Sequence, residues 1–286
     1  MGGYRIIMEK IDDIIAYIRE MAPEDLAEPW DNCGLLVASE REYTESVITC
    51  LDVTMAVVKE AVEIGAHLII THHPLIFTPI KRIDRIGEQG EKLRALIGND
   101  IALYATHTNV DKTYGGLNDL LAGIIGVNTP APGDTNEPLN YYRVGDLPYG
   151  FEAAEFDEYV LSRLKLRNII VSAQAPTAGF YHSKAGSRTI KKVMVMCGSY
   201  SLSPEQFYDT KADALLCGEI KYHDALDLIG MGVHVVQAGH HGTERFFMNL
   251  AAKWILDKFP DLRVQGAGFS TPPMEVLHSG NDNSGV

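Results

Sequence analysis

Short apolar runs of strand length alternate with segments of helix length along most of the chain, and this alternation constrains the fold more than any other feature. Residues 46–51 have the pattern of a strand, residues 55–64 that of a helix, and residues 66–70 that of a second strand. This order is typical of a βαβ unit, whose two strands lie parallel in one sheet. A helix at 91–97 and a strand at 101–105 continue the series. The pattern predicts an α/β fold with mixed sheets flanked by helices.

The second half of the chain repeats the alternation of the first. Ile11, Ile14, Ile15 and Ile18 recur at the spacing of one helical face and predict an opening helix. A proline-rich break around 130–138 separates the two halves. The elements predicted beyond it are strands at 168–171, 192–196, 214–217 and 233–237, and helices at 156–165, 204–210, 223–229 and 243–258. We predict a two-lobed subunit, with lobes at 1–128 and 144–286 joined by a linker at 129–143.

Composition and charge restrict the class of protein. The chain has 286 residues, of which 46% are hydrophobic, and can bury a sizeable core. Its four cysteines are scattered, which favours free thiols over a disulfide framework. No signal sequence and no apolar stretch of membrane length is apparent, so we expect a cytoplasmic protein with no membrane contact. The net charge of −13 disfavours general nucleic-acid binding.

Two adjacent histidines, His72 and His73, stand where the apolar strand at 66–70 ends. Neighbouring residues on a strand point to opposite faces, so a shared role requires the chain to leave the pleat at this point. Pro74 favours such a departure. Taken alone, the pair is more typical of ordinary surface or capping histidines.

A second polar group, which contains His107 and Asp111, follows the strand at 101–105. Binding sites in open α/β sheets lie outside the carboxyl ends of strands, so two such ends with these side chains indicate a common site. Asp111 could instead cap a turn or a helix.

A third group contains His240 and Glu244, between the strand at 233–237 and the last helix. Their spacing of four residues lets both side chains reach one point from a turn that leads into a helix. Glu244 could instead complement the helix dipole, and His241 reads as a solvated neighbour of His240.

The three groups together predict a metal centre. Imidazole and carboxylate ligands suit Zn, Mn, Fe or Ni rather than Ca. Five ligands are too many for one tetrahedral ion but fit two divalent transition-metal ions that share a carboxylate, with positions left for water and substrate. The predicted ligands are His72, His73, Asp111, His240 and Glu244, and residues 234–286 are expected to close the site.

Other polar residues could take part in the chemistry. Asp31 and Asn32 could line the cleft beside Trp30, although a loop tryptophan is commonly a packing anchor. Glu219 and His223 follow the strand at 214–217 and could serve as acid or base, or could cap the next helix.

The motifs that carry these residues are similar to those of the YbgI-like family, whose members are labelled GTP cyclohydrolase I type 2 homologues. The resemblance extends over nearly the whole chain and rests on WDNCGLLV at 30–37, THHPLIF at 71–77, HTNVD at 107–111, GGLNDLL at 115–121, VGDLP at 144–148, GEIKYH at 218–223, and Gly239-His240 with Glu244.

This resemblance implies a two-lobed α/β subunit with a dinuclear metal centre and assembly into a toroidal hexamer. It implies the same five ligands, with Glu244 as the bridge and His107 in or beside the ligand set. Longer members carry an inserted central domain, for which residues 128–143 leave no room, so the chain resembles the compact form. The tail after Phe269 fits the family pattern poorly.

Three functions remain open at this level. The first is a metal-dependent hydrolase that uses activated water on a nucleotide or phosphoester-type substrate, with His107 and Glu219 as the catalytic residues that assist proton transfer. The second is a non-enzymatic metal-binding ring that acts as a scaffold or binds a partner protein. The third is a DNA-associated toroid, which the net charge opposes. Arg245 could hold a phosphate or could be a surface helix residue.

Overall fold

The computed structural model describes residues 8–84, 87–129, 140–172 and 189–274. The α-helices are α1 (Ile11–Met21), α2 (Met55–Ile64), α3 (Glu88–Gly98), α4 (Thr108–Lys112), α5 (Leu117–Ile125), α6 (Ala153–Leu164), α7 (Pro204–Thr210), α8 (Tyr222–Gly230), α9 (His240–Glu244) and α10 (Phe247–Lys258). The strands are β1 (Glu9–Lys10), β2 (Gly34–Val37), β3 (Tyr43–Thr44), β4 (Ser46–Cys50), β5 (Leu68–Thr71), β6 (Ala102–Ala105), β7 (Arg143–Phe151), β8 (Ile170–Val171), β9 (Ile190–Ser199), β10 (Ala214–Glu219), β11 (His234–Gln237) and β12 (Arg263–Gly266).

The first sheet contains the predicted βαβ unit. Its strand order is β12-β4-β5-β6-β2, in which only β2 at the edge is antiparallel to its neighbour. The Thr54 hydroxyl caps the start of α2 by accepting from the Val57 N–H at 3.2 Å, and Gly65 ends the helix at φ +70°. Every residue of β4, β5 and β6 is buried, as expected where helices cover both faces of a parallel sheet.

The second sheet has a similar plan. Its order is β7-β9-β10-β11-β8, with three parallel central strands and an antiparallel strand at each edge. The predicted α/β class with mixed sheets and flanking helices is therefore confirmed. No helix in the described ranges has the length and apolarity needed to cross a bilayer. The four cysteines are free, as predicted.

The helix α5 joins the two sheets. Leu117 and Leu121 on this helix share one apolar core with Tyr104 of the first sheet and Val195 of the second. The Asn118 side chain donates to the Asp111 carbonyl at 3.1 Å and accepts from the Cys197 N–H at 2.8 Å. The carboxyl end of β9 is thereby held against α4, the short helix that follows β6.

The C-terminal part of the chain differs from the prediction in two ways. The expected helix at 243–258 is instead the short α9 and the longer α10, separated by a turn at Arg245 and Phe246. The two helices have different surroundings. α9 carries His240 and Glu244, whereas α10 buries apolar side chains in the core. After α10, β12 pairs with β4 in the first sheet, although we assigned residues 144–286 to the second lobe. The division into lobes stays a prediction, and most of the predicted linker, at 130–139, lies outside the described residues.

Candidate metal centre

Polar side chains gather where the carboxyl ends of the two sheets approach each other. In the first sheet, Asp52 follows β4, His72 and His73 follow β5, and His107 follows β6. In the second sheet, Glu219 ends β10 and α9 begins soon after β11. Contacts described below bring the seven predicted residues into one cluster, namely His72, His73, His107, Asp111, Glu219, His240 and Glu244.

The side chains of His72 and His73 can lie close together because strand β5 ends before these two residues. β5 ends at Thr71, and the N–H groups of His72 and His73 donate to the carbonyls of Cys50 and Leu51 at 3.1 and 2.9 Å. The centres of the two imidazole rings lie 4.9 Å apart. The prediction that the chain leaves the pleat here is confirmed.

Each of the four histidines in the cluster has an oxygen partner at Nδ1. A carbonyl or carboxylate oxygen can accept the ring proton there, and in the neutral ring this leaves Nε2 with a lone pair that can bind a metal. The partners are the Thr106 carbonyl for His72 at 3.0 Å, Asp52 for His73 at 2.8 Å, Asp31 for His107 at 2.8 Å, and Glu219 for His240 at 3.2 Å.

The buried Glu244 carboxylate lies between two groups of these ligand atoms. Its Oε1 is 3.8 Å from His72 Nε2, and its Oε2 is 3.0 Å from His73 Nε2 and 2.8 Å from His240 Nε2. The two oxygens therefore face different histidines. This is the arrangement expected of a carboxylate that bridges two ions.

The distance between His73 and His240 fits a shared cation. Their Nε2 atoms are 3.3 Å apart. Two nitrogens bound to one tetrahedral ion, each at about 2.0–2.1 Å, lie about 3.3 Å from each other. Three residues, His73, His240 and Glu244, offer ligand atoms that all lie within 4.8 Å of one another, and so do His72, His73 and His107.

Asp111 and His72 contribute buried ligand atoms without partners. Within the described residues, Asp111 Oδ1 and His72 Nε2 have no hydrogen-bond partner, and they lie 3.9 Å apart. Two ligand atoms at about 2.1 Å from a common tetrahedral ion lie about 3.4 Å apart, so these two atoms would have to approach by about 0.5 Å to share one. Buried polar atoms without partners are costly, which supports a cation as the missing partner.

The electrostatics of the cluster agree with this geometry. Burial and the nearby charge of Glu244 raise the pKa of Asp111 well above its usual value. Burial lowers the pKa of His72 to about 4, so its ring is neutral at physiological pH. Burial also acts to lower the pKa of His73 and His240, but hydrogen bonds to carboxylates outweigh it and raise these values to about 10 and about 9. The carboxylates bonded to His73 and His240 thus stabilise positive charge within the cluster.

A hydrogen-bonded loop holds His107. Burial acts to raise the pKa of Asp31, but hydrogen bonds from His107 and Thr108 outweigh it and keep the carboxyl ionised. The Asn109 side chain accepts from the His107 N–H at 2.8 Å and donates to the Ala22 carbonyl at 2.7 Å. Asp31 therefore supports the site through His107. The segment predicted to line the cleft, which contains Asp31 and Asn32, lies beside the cluster.

Two residues of the site were not predicted from sequence. Asp52 orients His73, and its position directly after a strand was the available signal. Gly198, at φ +63°, lies against Glu244, since a Cβ there would be 2.2 Å from Oε1 of Glu244. The Gly198 N–H donates to the Thr243 hydroxyl at 3.1 Å, which fixes α9 against the end of β9. No local sequence pattern marks such a contact.

Other candidate residues lie apart from the cluster. Arg245 donates to the Leu164 carbonyl at the end of α6 and packs over the Phe246 ring. His223 is exposed and packs edge-on against Tyr222. Neither residue contacts the ligand groups.

These features define an α/β protein with a histidine and carboxylate cluster between two mixed sheets. The chain belongs to the Duf34/NIF3 (NGG1p interacting factor 3) family, which it matches over residues 9–272. It is 34% identical over 243 residues to a GTP cyclohydrolase 1 type 2 homolog of Clostridium perfringens, which covers 82% of this chain and 87% of that relative.

Solved structures agree with this assignment. Reduced HcgD from Methanocaldococcus jannaschii is 31% identical with a TM-score of 0.74, and the alignment covers 93% of this chain and 100% of HcgD. The structure of the protein ybgI has the same fold, with 24% identity, a TM-score of 0.72, and coverage of 92% of this chain and 99% of that one. The predicted resemblance to the YbgI-like family is confirmed.

Proposed function

We propose that the protein is a dinuclear metal-dependent hydrolase that acts on a nucleotide or phosphoester-type substrate. The carboxylate of Glu244 is the observation that carries the proposal, because its two oxygens face two separate groups of ligand atoms. One ion would be held by His72, Asp111 and Glu244 Oε1, and the other by His73, His240 and Glu244 Oε2.

The chain's own groups would prepare this centre for hydrolysis. Two divalent transition-metal ions from the group Zn, Mn, Fe and Ni, which the ligand types favour, would supply a Lewis acid and lower the pKa of water when bound. Asp52 and Glu219 keep the ring protons of His73 and His240 on Nδ1 and so present Nε2 to the site.

His107 is our candidate for proton transfer. Asp31 holds its Nδ1 at 2.8 Å, and its ring centre lies 5.1 Å from that of His72 and 5.6 Å from that of His73. An imidazole so placed can accept a proton from water and return it to a leaving group. The same position would also suit a further ligand, and metal analysis of a variant separates the two roles.

The catalytic role predicted for Glu219 stays a prediction, and its contacts favour a different one. Its Oε1 accepts from the Ser199 hydroxyl at 2.5 Å and contacts His240 Nδ1 at 3.2 Å. The hydrogen bond from Ser199 lowers the pKa of Glu219. An ionised carboxylate in this place orients His240 and is poorly suited to donate a proton.

Metal analysis of untagged protein purified without chelator is the direct test. We expect about two transition-metal ions per subunit, in line with a ligand set too large for one tetrahedral ion. Glu244→Gln should lose both ions and Asp111→Asn at least one. Glu60→Gln is the matched control, because Glu60 is a buried carboxylate that binds Gln265 and Gly268 away from the cluster.

Activity is then measured on metal-loaded protein with GTP and bis-p-nitrophenyl phosphate. His107→Gln should keep its metal and lose turnover; loss of metal from this variant would make His107 a ligand. Full metal content in Glu244→Gln would contradict the proposed centre. Two bound ions with no hydrolysis of any substrate would favour the scaffold function. The hexamer implied by the resemblance stays a prediction, which analytical ultracentrifugation tests.

A further inference from the structure

An exposed aromatic surface adjoins the metal centre. The rings of Trp30, Phe77 and His107 form a triangle of edge-to-face contacts, with centres 6.0 Å apart for Trp30 and Phe77, 6.4 Å for Trp30 and His107, and 6.3 Å for Phe77 and His107. Trp30 is 60% exposed and Phe77 is 49% exposed. His107 connects this surface to the cluster, since its ring also contacts His72.

The two loops that carry these rings are held in place. Asp31, next to Trp30, bonds the His107 ring and the N–H of Thr108 at 2.8 and 3.1 Å. The Asn32 amide donates to the carbonyl of Ile76, next to Phe77, at 2.5 Å. The exposure of both aromatic rings is therefore built into the hydrogen-bonded loops. Adjacent exposed aromatic rings mark a binding surface more often than a single exposed side chain does.

The charge distribution indicates which part of a substrate this surface contacts. Within residues 8–84, 87–129, 140–172 and 189–274, no lysine or arginine pairs with Asp31, Asp52 or Glu244. Arg245 and Lys112, each next to a proposed ligand in sequence, are engaged with the Leu164 carbonyl and the Glu28 carboxylate. Neither of these basic side chains is therefore free to bind a phosphate at the cluster, whereas the exposed rings of Trp30 and Phe77 suit contact with a flat ring.

We propose that Trp30 and Phe77 form a subsite for the flat heteroaromatic ring of the substrate. The inference rests on the proposed function and narrows it, because it selects ring-bearing nucleotides over simple phosphoesters. The planes of Trp30 and Phe77 are inclined at 64°, so the ring would stack on one of them and contact the edge of the other, with its own edge nearest His107 directed toward the metal centre. Stacking contributes to affinity for any base, so the subsite selects a ring and not a particular base.

The test uses zinc-loaded full-length protein and a pair of probes that share a phosphate and a ribose. GMP carries a base, whereas ribose 5-phosphate does not. We expect GMP to bind at least about tenfold more tightly, as is typical of a stacked base. Binding is followed by tryptophan fluorescence and by calorimetry. Trp30 and Trp254 are the two tryptophans of the chain, and Trp254 is only 5% exposed, so quenching by GMP reports on Trp30.

Variants assign the effect to the aromatic surface. Trp30→Ala and Phe77→Ala should each weaken GMP binding by roughly five- to tenfold and leave ribose 5-phosphate binding unchanged, while Trp30→Phe should retain most of the affinity. Tyr149→Ala is the matched control. Tyr149 is 58% exposed but lies on β7 next to Phe151, which pairs with Ile190 at the opposite end of β9 from the site.

The outcomes separate this inference from the proposed function. Failure of the unmodified protein to bind zinc, manganese, iron or nickel would refute the metal centre itself. Bound zinc with equal affinity for GMP and ribose 5-phosphate, or with GMP binding unchanged in Trp30→Ala, would refute only the ring subsite. Loss of zinc from Trp30→Ala would show a structural role for Trp30 and also refute the subsite. A changed sedimentation coefficient in Trp30→Ala with unaltered GMP binding would identify the surface as a contact between copies of the chain.

Discussion

Replacing Gly198 by alanine tests how tightly the end of β9 holds the bridging carboxylate. A Cβ at this position would lie 2.2 Å from Glu244 Oε1 and 3.3 Å from His240 Cε1. An ordinary contact between carbon and oxygen needs about 1 Å more, so the carboxylate must move by roughly that distance. Gly198 also has φ +63°, a left-handed conformation that costs about 1–2 kcal/mol for a residue with a side chain.

The two effects have different consequences. The backbone strain should lower the free energy of unfolding by about 1–2 kcal/mol, which is about 2–4 °C in Tm for a chain of this size. Displacement of Glu244 should weaken metal binding by more than about 100-fold, since loss of a supporting partner alone costs roughly 10- to 100-fold. Gly198→Ala should therefore fold but bind little metal.

Gly65→Ala is the matched control. Gly65 has φ +70° at the end of α2, and its Cβ would meet only Glu45 Oε1, at an ordinary 3.6 Å. It should show the same loss of Tm with full metal content. Metal is measured by mass spectrometry after dialysis, and Tm by calorimetry in the presence of chelator. Equal metal content in Gly198→Ala and Gly65→Ala would refute the assignment of Glu244 as a metal ligand whose position depends on Gly198.

Three further predictions follow from the contacts. Asp52→Asn should weaken metal binding by roughly 10- to 100-fold in calorimetric titration, because Asp52 orients His73; an unchanged affinity would contradict this role. Metal affinity should rise with pH from about pH 6 to about pH 9, because the metal must displace protons from His73 and His240, whose pKa values in the metal-free protein are raised to about 10 and about 9. A flat pH profile of affinity would rule out this proton release. Arg143→Ala should lower the free energy of unfolding by about 3–5 kcal/mol in urea titration, since it leaves the Asp119 carboxylate without its buried partner; a loss under about 1 kcal/mol would refute that estimate.

Much of the fold could be predicted because its elements have local signals. The helix α2 was predicted with its exact bounds, since its cap residue Thr54 and the terminal Gly65 are readable in the chain. The parallel strands β4, β5 and β6 were also predicted as apolar runs, each one residue longer than the strand itself. By contrast, β12 was missed, because its pairing with β4 joins residues that are distant in sequence and β12 itself is only partly buried.

The sequence alone determined which residue types stand at the strand ends, and therefore the chemistry available to the site. His72, His73 and Glu244 could be named as candidate ligands because three polar groups follow apolar strands, at the edge of the sheet where binding sites in α/β folds lie. Only the tertiary structure decided which atoms face each other. The approach of Gly198 to Glu244 and of Asp52 to His73 depends on how the strands and sheets pack. Such packing brings together residues that are distant in the chain, and the local sequence around each residue does not indicate its partner.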